Sequence, residues 1–386
     1  MDRILGVDKI SSQREEKTMN LHHTIHWGFL CLGLCSCSTT HFYSQALSGQ
    51  VEMLRKARPV SRVLADPKTK PKLKKKLSMV AHILTFAEKE LHLPTEGQYR
   101  RYTDLGRSHA VWVIFAAPEF SVEPKKWSYP FVGKLAYRGF FKEASALHEA
   151  DQLKAEGYDV YVGGVNAYST LGFLRDPLLS TFIGRDDAAL AELIFHELSH
   201  QRLYLSGDTD FNEAFATAVG QEGARRWLRA QWRMKELEHY DRELRVEREF
   251  ISLVLKTRTE LEQIYATTYR SRETKLRQKQ AAFSRLHQRA ETLDQSSGGT
   301  LKIERWFKTP LNNARLATLA TYYDLLPGFE TLIEQHGGDL ERFIQEIESM
   351  RNQGHDERRN RLMRLNLSTL DSKRNRWSQA ARGERP

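Results

Sequence analysis

The sequence predicts an α+β fold that is predominantly helical. Three observations lead there. Short apolar or alternating runs cluster between positions 100 and 170, which is the signature of strands. Most other segments repeat their apolar residues at helical spacing. From Lys235 to Ser297 no proline or glycine interrupts the chain. The chain has 386 residues, 40% apolar and 28% charged. That composition excludes a disordered or collagen-like protein and leaves two domains or one elaborated domain.

Residues 1–37 read as a leader. Ile25 to Cys37 is apolar but too short to span a bilayer as a mature helix. It matches the apolar part of a signal peptide followed by small residues. Leu34-Cys35-Ser36-Cys37 resembles a bacterial lipobox, in which the cysteine after a small residue is lipidated. Cys37 is therefore the expected lipidation site, and Cys35, preceded by Leu34, is the poorer one. Met1 or Met19 is the start. The expected location is the bacterial cell envelope, exported and lipid-anchored, on the outer membrane facing the periplasm. Several acyl chains, at roughly 0.8 kcal/mol per buried CH₂, make a firm anchor. The three cysteines all lie between Cys31 and Cys37. A disulfide framework and a Cys-ligated structural zinc are thereby excluded from the body of the chain.

Residues 38–232 are expected to hold N-terminal helices, the small sheet and the main chemical site. His41 to Leu64 starts helical and is broken at Pro59. Lys-rich 67–76 reads as solvated chain, and Met79 to Leu93 as an amphipathic helix. Ala110 to Ala116, Lys134 to Phe141 and Tyr158 to Gly163 read as strands, with a helix over Lys142 to Glu156. Asp187 to Leu205 and Asn212 to Trp232 follow as helices. Residues 233–297 form a long antiparallel helical hairpin, reversing near Thr267 to Arg272. Residues 298–350 are expected to be C-terminal helices completing the active site, with a helix over Leu311 to Leu326 and a last amphipathic segment over Phe329 to Glu348, and 351–386 are expected to be a frayed basic tail. That tail has ten Arg and Lys against four Asp and Glu, so it carries six of the net charge of +10. The body is only mildly basic, which argues against nucleic acid as a partner.

The chemistry centres on His196-Glu197-Leu198-Ser199-His200. On a helix, residues four apart share a face, so both imidazoles can address one metal ion. Glu197 sits beside them as general base for an attacking water. Catalytic zinc takes three protein ligands and keeps one position open. The next helix offers the third in Asn212-Glu213-Ala214-Phe215-Ala216, after the turn Ser206-Gly207-Asp208. Glu222 and Asp210 are the alternatives to Glu213. H-E-x-x-H, a turn and N-E-x-x-A make the gluzincin pattern, so one zinc per chain is expected. His200 and Glu213 are separated by twelve residues, fewer than in thermolysin-like enzymes. Those sites also have an Asp four residues after the ligand Glu, where this chain has Thr217. An oxyanion needs a further donor. Tyr322 and Tyr323 are the candidates, with His336 as a rival. Gly163 to Gly172 reads as an edge strand for an extended peptide, with Tyr168 and Ser169 as substrate contacts. Glu119, after another strand, is a candidate for a peptide's α-amine.

The sequence resembles the predicted bacterial zinc aminopeptidases, mostly lipoproteins, over most of the mature chain. The matching segments are Phe42 to Gln50, Phe115 to Ser121, Tyr158 to Val165 and Ala167 to Gly172. They continue through His196 to Tyr204, Phe211 to Thr217, Leu311 to Ala314 and Ala320 to Leu325. The resemblance implies His196, His200 and Glu213 as metal ligands, Glu197 as catalytic, and Tyr322 in preference to Tyr323. It also implies a gluzincin-like core into which the helical hairpin is inserted. The function expected is a zinc metallopeptidase, an aminopeptidase acting on peptide substrates. The competing readings are an envelope endopeptidase or cell-wall peptide hydrolase, and a non-catalytic adaptor lipoprotein that works through its hairpin.

Overall fold

The computed structural model describes residues 37–129, 133–167 and 175–365. The leader before Cys37, the segment 366–386, and Tyr168 and Ser169 lie outside the described residues. The chain divides into two units, 1–52 and 53–386. The described part of the first is helical and runs as α1 (Cys37–Lys56) across the boundary. The second unit holds every other element and the whole candidate site.

The second unit begins with β1 (Arg58–Pro59), α2 (Val60–Ala65) and α3 (Pro71–Glu90). Proline opens α3 at its first position, where its missing N–H costs nothing. Next come β2 (Arg101–Thr103), β3 (Val111–Pro118), β4 (Trp127–Tyr129), β5 (Gly133–Leu135) and β6 (Arg138–Phe140). They are followed by α4 (Glu143–Ala155), β7 (Tyr158–Val165) and β8 (Leu178–Leu179). The main sheet is antiparallel in the order β6-β3-β7. Its centre, β3, pairs with β7 along its whole length, from Val111 opposite Val165 to Pro118 opposite Tyr158. That central place explains the unbroken apolar run of β3.

The single strand expected over Lys134 to Phe141 is two strands. β5 pairs with β4, and β6 pairs with β3. The chain leaves one partner for the other around Ala136 and Tyr137, a change that hydropathy alone does not signal.

The rest is helical: α5 (Asp187–Arg202), α6 (Thr209–Ala230), α7 (Met234–Ala266), α8 (Arg272–Ser296) and α9 (Ile303–Phe307). Then follow α10 (Asn313–Tyr323), α11 (Leu326–Gln335) and α12 (Leu340–Ser349). α7 and α8 are the expected hairpin, with Ser271 capping the start of α8 by accepting from the Thr274 N–H. The hairpin is bound to the sheet. Buried Lys279 reaches Asp159 of β7 at 2.6 Å and the Glu119 carbonyl at 2.9 Å. Tyr265 donates to Asn313 at the start of α10 at 2.8 Å.

The amphipathic segment Phe329 to Glu348 is two helices, because Gly337 and Gly338 take φ of +61° and +83° between α11 and α12. One expectation near the C-terminus is corrected. The chain beyond Met350 does not fray at once. Residues 355–365 are helical, and Leu362 is wholly buried in the main core. Its backbone lies so close to Gly328 of α11 that a Cβ there would sit 2.5 Å from the Leu362 carbonyl. Replacing Leu362 with Ala is expected to cost about 2–5 kcal/mol, read as a lower thermal unfolding midpoint. An unchanged midpoint is inconsistent with this packing.

Candidate metal centre

The site is built by two helices and the turn between them. α5 begins at Asp186, whose carboxylate accepts from the Ala189 N–H at 2.8 Å. Almost every side chain from Ala188 to His200 is buried or half-buried, so α5 runs through the core instead of along the surface. α6 packs against it through small residues. A Cβ at Gly220 would lie 2.9 Å from the Glu192 carbonyl and 3.2 Å from the His196 Cβ. Only glycine lets the helices approach this closely beside the first histidine of the motif.

Asn212 locks the turn. Its side-chain amide donates to the Leu205 carbonyl at 2.8 Å and accepts from the Leu205 N–H at 2.8 Å. A buried amide thus makes the pair of bonds that a neighbouring strand would make. Asp208, in the same turn, is held by Arg358 at 2.6 Å and 3.0 Å in a buried, two-point ion pair. The helix 355–365 therefore braces the turn from outside. The next residue after Asn212 is Glu213, which is thereby aimed at α5.

The outcome is a convergent triad. His196 Nε2 and His200 Nε2 lie 3.2 Å apart. Glu213 Oε2 lies 3.3 Å from the former and 3.7 Å from the latter. Of the three acids weighed as third ligand, Glu213 is the one that joins the histidines. Glu222 pairs with Arg225 and Arg226, and Asp210 faces a cavity discussed below. Two imidazole nitrogens and one carboxylate oxygen directed at a common point suit zinc or another borderline divalent ion. Buried His200 Nδ1 has no hydrogen-bond partner.

Electrostatics follow from this crowding. Burial favours the neutral form of Glu213, but the facing His200 and His196 outweigh it and hold the carboxyl down to about 2. His196 is raised despite burial, because Glu213 accepts from it and Glu197 and Glu192 add their field. Burial raises Glu197, with the two histidines opposing it. Glu192, one turn before His196, accepts from Tyr240 of α7 at 2.8 Å. Burial pushes Glu192 up to about 7 against that hydrogen bond.

The remaining sequence candidates fall as follows. Tyr322 lies on α10, and its side chain is outside the described residues. Tyr323 donates to Glu247 of α7 at 2.8 Å. Glu119 forms a two-point ion pair with Arg272 at the hairpin turn, at 2.6 Å and 3.0 Å. His336 pairs with Glu346. β7 is an edge of the main sheet, although Asn312 already donates to its Val160 carbonyl at 2.9 Å.

Sequence reasoning missed three tyrosines. Burial pushes Tyr137 well above its ordinary value, and Glu213 and Glu197 push it further. Burial and Glu213 push Tyr204 up to about 12. Burial, with Glu197 and Asp176 adding to it, raises Tyr99 well above its ordinary value. All three are neutral phenols within the field of the acidic centre. Tyr204 had a signal, since it follows His200 by four residues, and the two rings stand edge to face at 6.4 Å. Tyr99 and Tyr137 had none, because they come from the β2 approach and the β5–β6 junction.

A family model described as "Putative aminopeptidase" matches residues 41–362. No curated protein and no solved structure matches the chain.

Two outcomes are expected. Asn212→Ala leaves the Leu205 N–H without its partner, while the Leu205 carbonyl keeps the Asp208 N–H at 3.1 Å, and should cost roughly 1–3 kcal/mol, measured by denaturant unfolding of metal-free protein. Glu213 is a group whose folded value lies below its unfolded value of about 4.5. Its contribution is therefore present above about pH 4.5 and lost as pH falls towards 2. The stability gap between metal-free wild type and Glu213→Gln should close across that window. A gap that widens on acidification contradicts the assignment.

Proposed function

Because the chain belongs to the family described as "Putative aminopeptidase", we propose that it is a zinc-dependent peptidase that removes residues from the N-terminus of peptides. The observation that carries the reading is the convergence of His196 Nε2, His200 Nε2 and Glu213 Oε2, with half-buried Glu197 next to the first of them on the same helix. His196, His200 and Glu213 would hold the metal. When bound, it supplies a Lewis acid that polarises the scissile carbonyl and acidifies water.

The chain's own residues do the rest. Glu197 takes a proton from the attacking water and passes it to the leaving amine as the C–N bond breaks. Its burial raises proton affinity towards what such a shuttle needs. The phenols of Tyr137 and Tyr204 stay protonated near neutrality and can donate to an oxyanion. β7 ends the main sheet, and its backbone away from the Asn312 contact at Val160 suits an extended peptide. We place the enzyme in the envelope, anchored through Cys37.

Glu197→Gln should retain the metal and lose roughly 10²–10⁴-fold in peptide hydrolysis. Metal content and a mixed peptide library, read by mass spectrometry for loss of N-terminal residues, test this. Equal cleavage by both proteins overturns the mechanism, and internal cuts overturn the aminopeptidase reading.

A further inference from the structure

A cavity of about 140 Å³ lies where the loop after β3, α6, α7, α10 and the helix 355–365 meet. It has no part in the triad, yet Asp210, one turn before Glu213 on the same face of α6, forms part of its wall. Six of its ten lining residues are charged. Arg359 is paired with Asp324, and Arg258 with Glu123. These pairs use up most of the charge around the cavity.

Two opposite charges remain. The Asp210 carboxylate has Arg359 Nη1 as its nearest ion-pair partner, at 3.8 Å, beyond hydrogen-bond distance. Burial favours its neutral form, with Arg359 and Lys126 opposing, as expected for a carboxylate short of partners. Lys126 makes no hydrogen bond or ion pair among the described residues and is exposed. Asp210 and Lys126 line the same cavity. A lone cation in the cavity would meet Lys126, Arg258 and Arg359. A lone anion would meet Asp210 and Asp324. A molecule with both charges on adjacent carbons satisfies both residues, and a space this size holds a few waters or a small amino acid.

We propose that this cavity binds a small free amino acid as its zwitterion, the ammonium on Asp210 and the carboxylate on Lys126. The site lies one helical turn from a metal ligand, so its occupancy would report the released product to the reaction centre. That last role rests on the peptidase reading, whereas the binding itself does not.

The test is calorimetric titration of alanine, N-acetylalanine and alaninamide into the full chain, wild type, Asp210→Asn and Lys126→Gln. Wild type should bind alanine alone of the three, and each substitution should weaken that binding at least tenfold. Because Lys126 is exposed, Lys126→Gln remains informative even if Asp210→Asn fails to fold. No binding at millimolar alanine overturns the proposal. So does binding that both substitutions leave unchanged, which would place the amino acid elsewhere, the metal centre included. Peptide hydrolysis is measured on the same wild-type sample. Hydrolysis without alanine binding sinks the cavity alone, and alanine binding without hydrolysis sinks the peptidase reading alone.

Discussion

Everything in the candidate site depends on how closely α6 can lie against α5. Two imidazoles on one helix are ordinary, and a glutamate on the next helix is too. They become a triad only because Gly220 removes the side chain that would hold the helices apart. Asn212 then fixes the angle of return by bonding both polar groups of Leu205. A one-methylene error at either place would move Glu213 Oε2 by more than the differences that separate the three ligand distances. The core around α5 and α6 is correspondingly dense, with Phe195, Phe211, Phe215 and Phe329 all wholly buried.

The protein surrounding the pair is less modular than a peptidase core with an inserted arm. The hairpin of α7 and α8 has its own apolar seam, from Phe250 and Val254 to Phe283 and Leu286. Yet α7 also supplies Tyr240 to Glu192 behind the first histidine, and Glu247 to Tyr323 on α10. Lys279 of α8 ends at Asp159 of the sheet, where the Asn313 N–H also donates. The hairpin therefore connects the metal helix, the tyrosine-bearing helix and the sheet.

The sequence made the local parts legible and hid the long-range ones. Spacing within one helix exposed His196, Glu197 and His200, and the short turn made Glu213 the natural third member. The limits of the hairpin were readable because no glycine or proline falls inside it. Tyr99 and Tyr137 were hidden, since nothing near them in sequence refers to a metal site. Tyr99 even adopts a left-handed backbone, φ +56°, held by its buried ring edge-on to Phe182. The helix 355–365 was misread for a related reason. Its composition is that of a solvated tail, and only Leu362 and the partnership of Arg358 with Asp208 give it a fixed place. Charge patterns reveal how many ions a segment carries but not which of them find a partner 150 residues away.

That partnership bears on the order in which the protein matures. Asp208 belongs to the turn that sets the third ligand, and Arg358 is among the last described residues to be synthesised. While the chain is being made, α5 and α6 can form, but their turn lacks its outer brace until Arg358 has been added. Contacts of such sequence separation form late. The turn that positions Glu213 is thus braced by a residue 150 positions further along the chain, and its outer support arrives after both helices have been made.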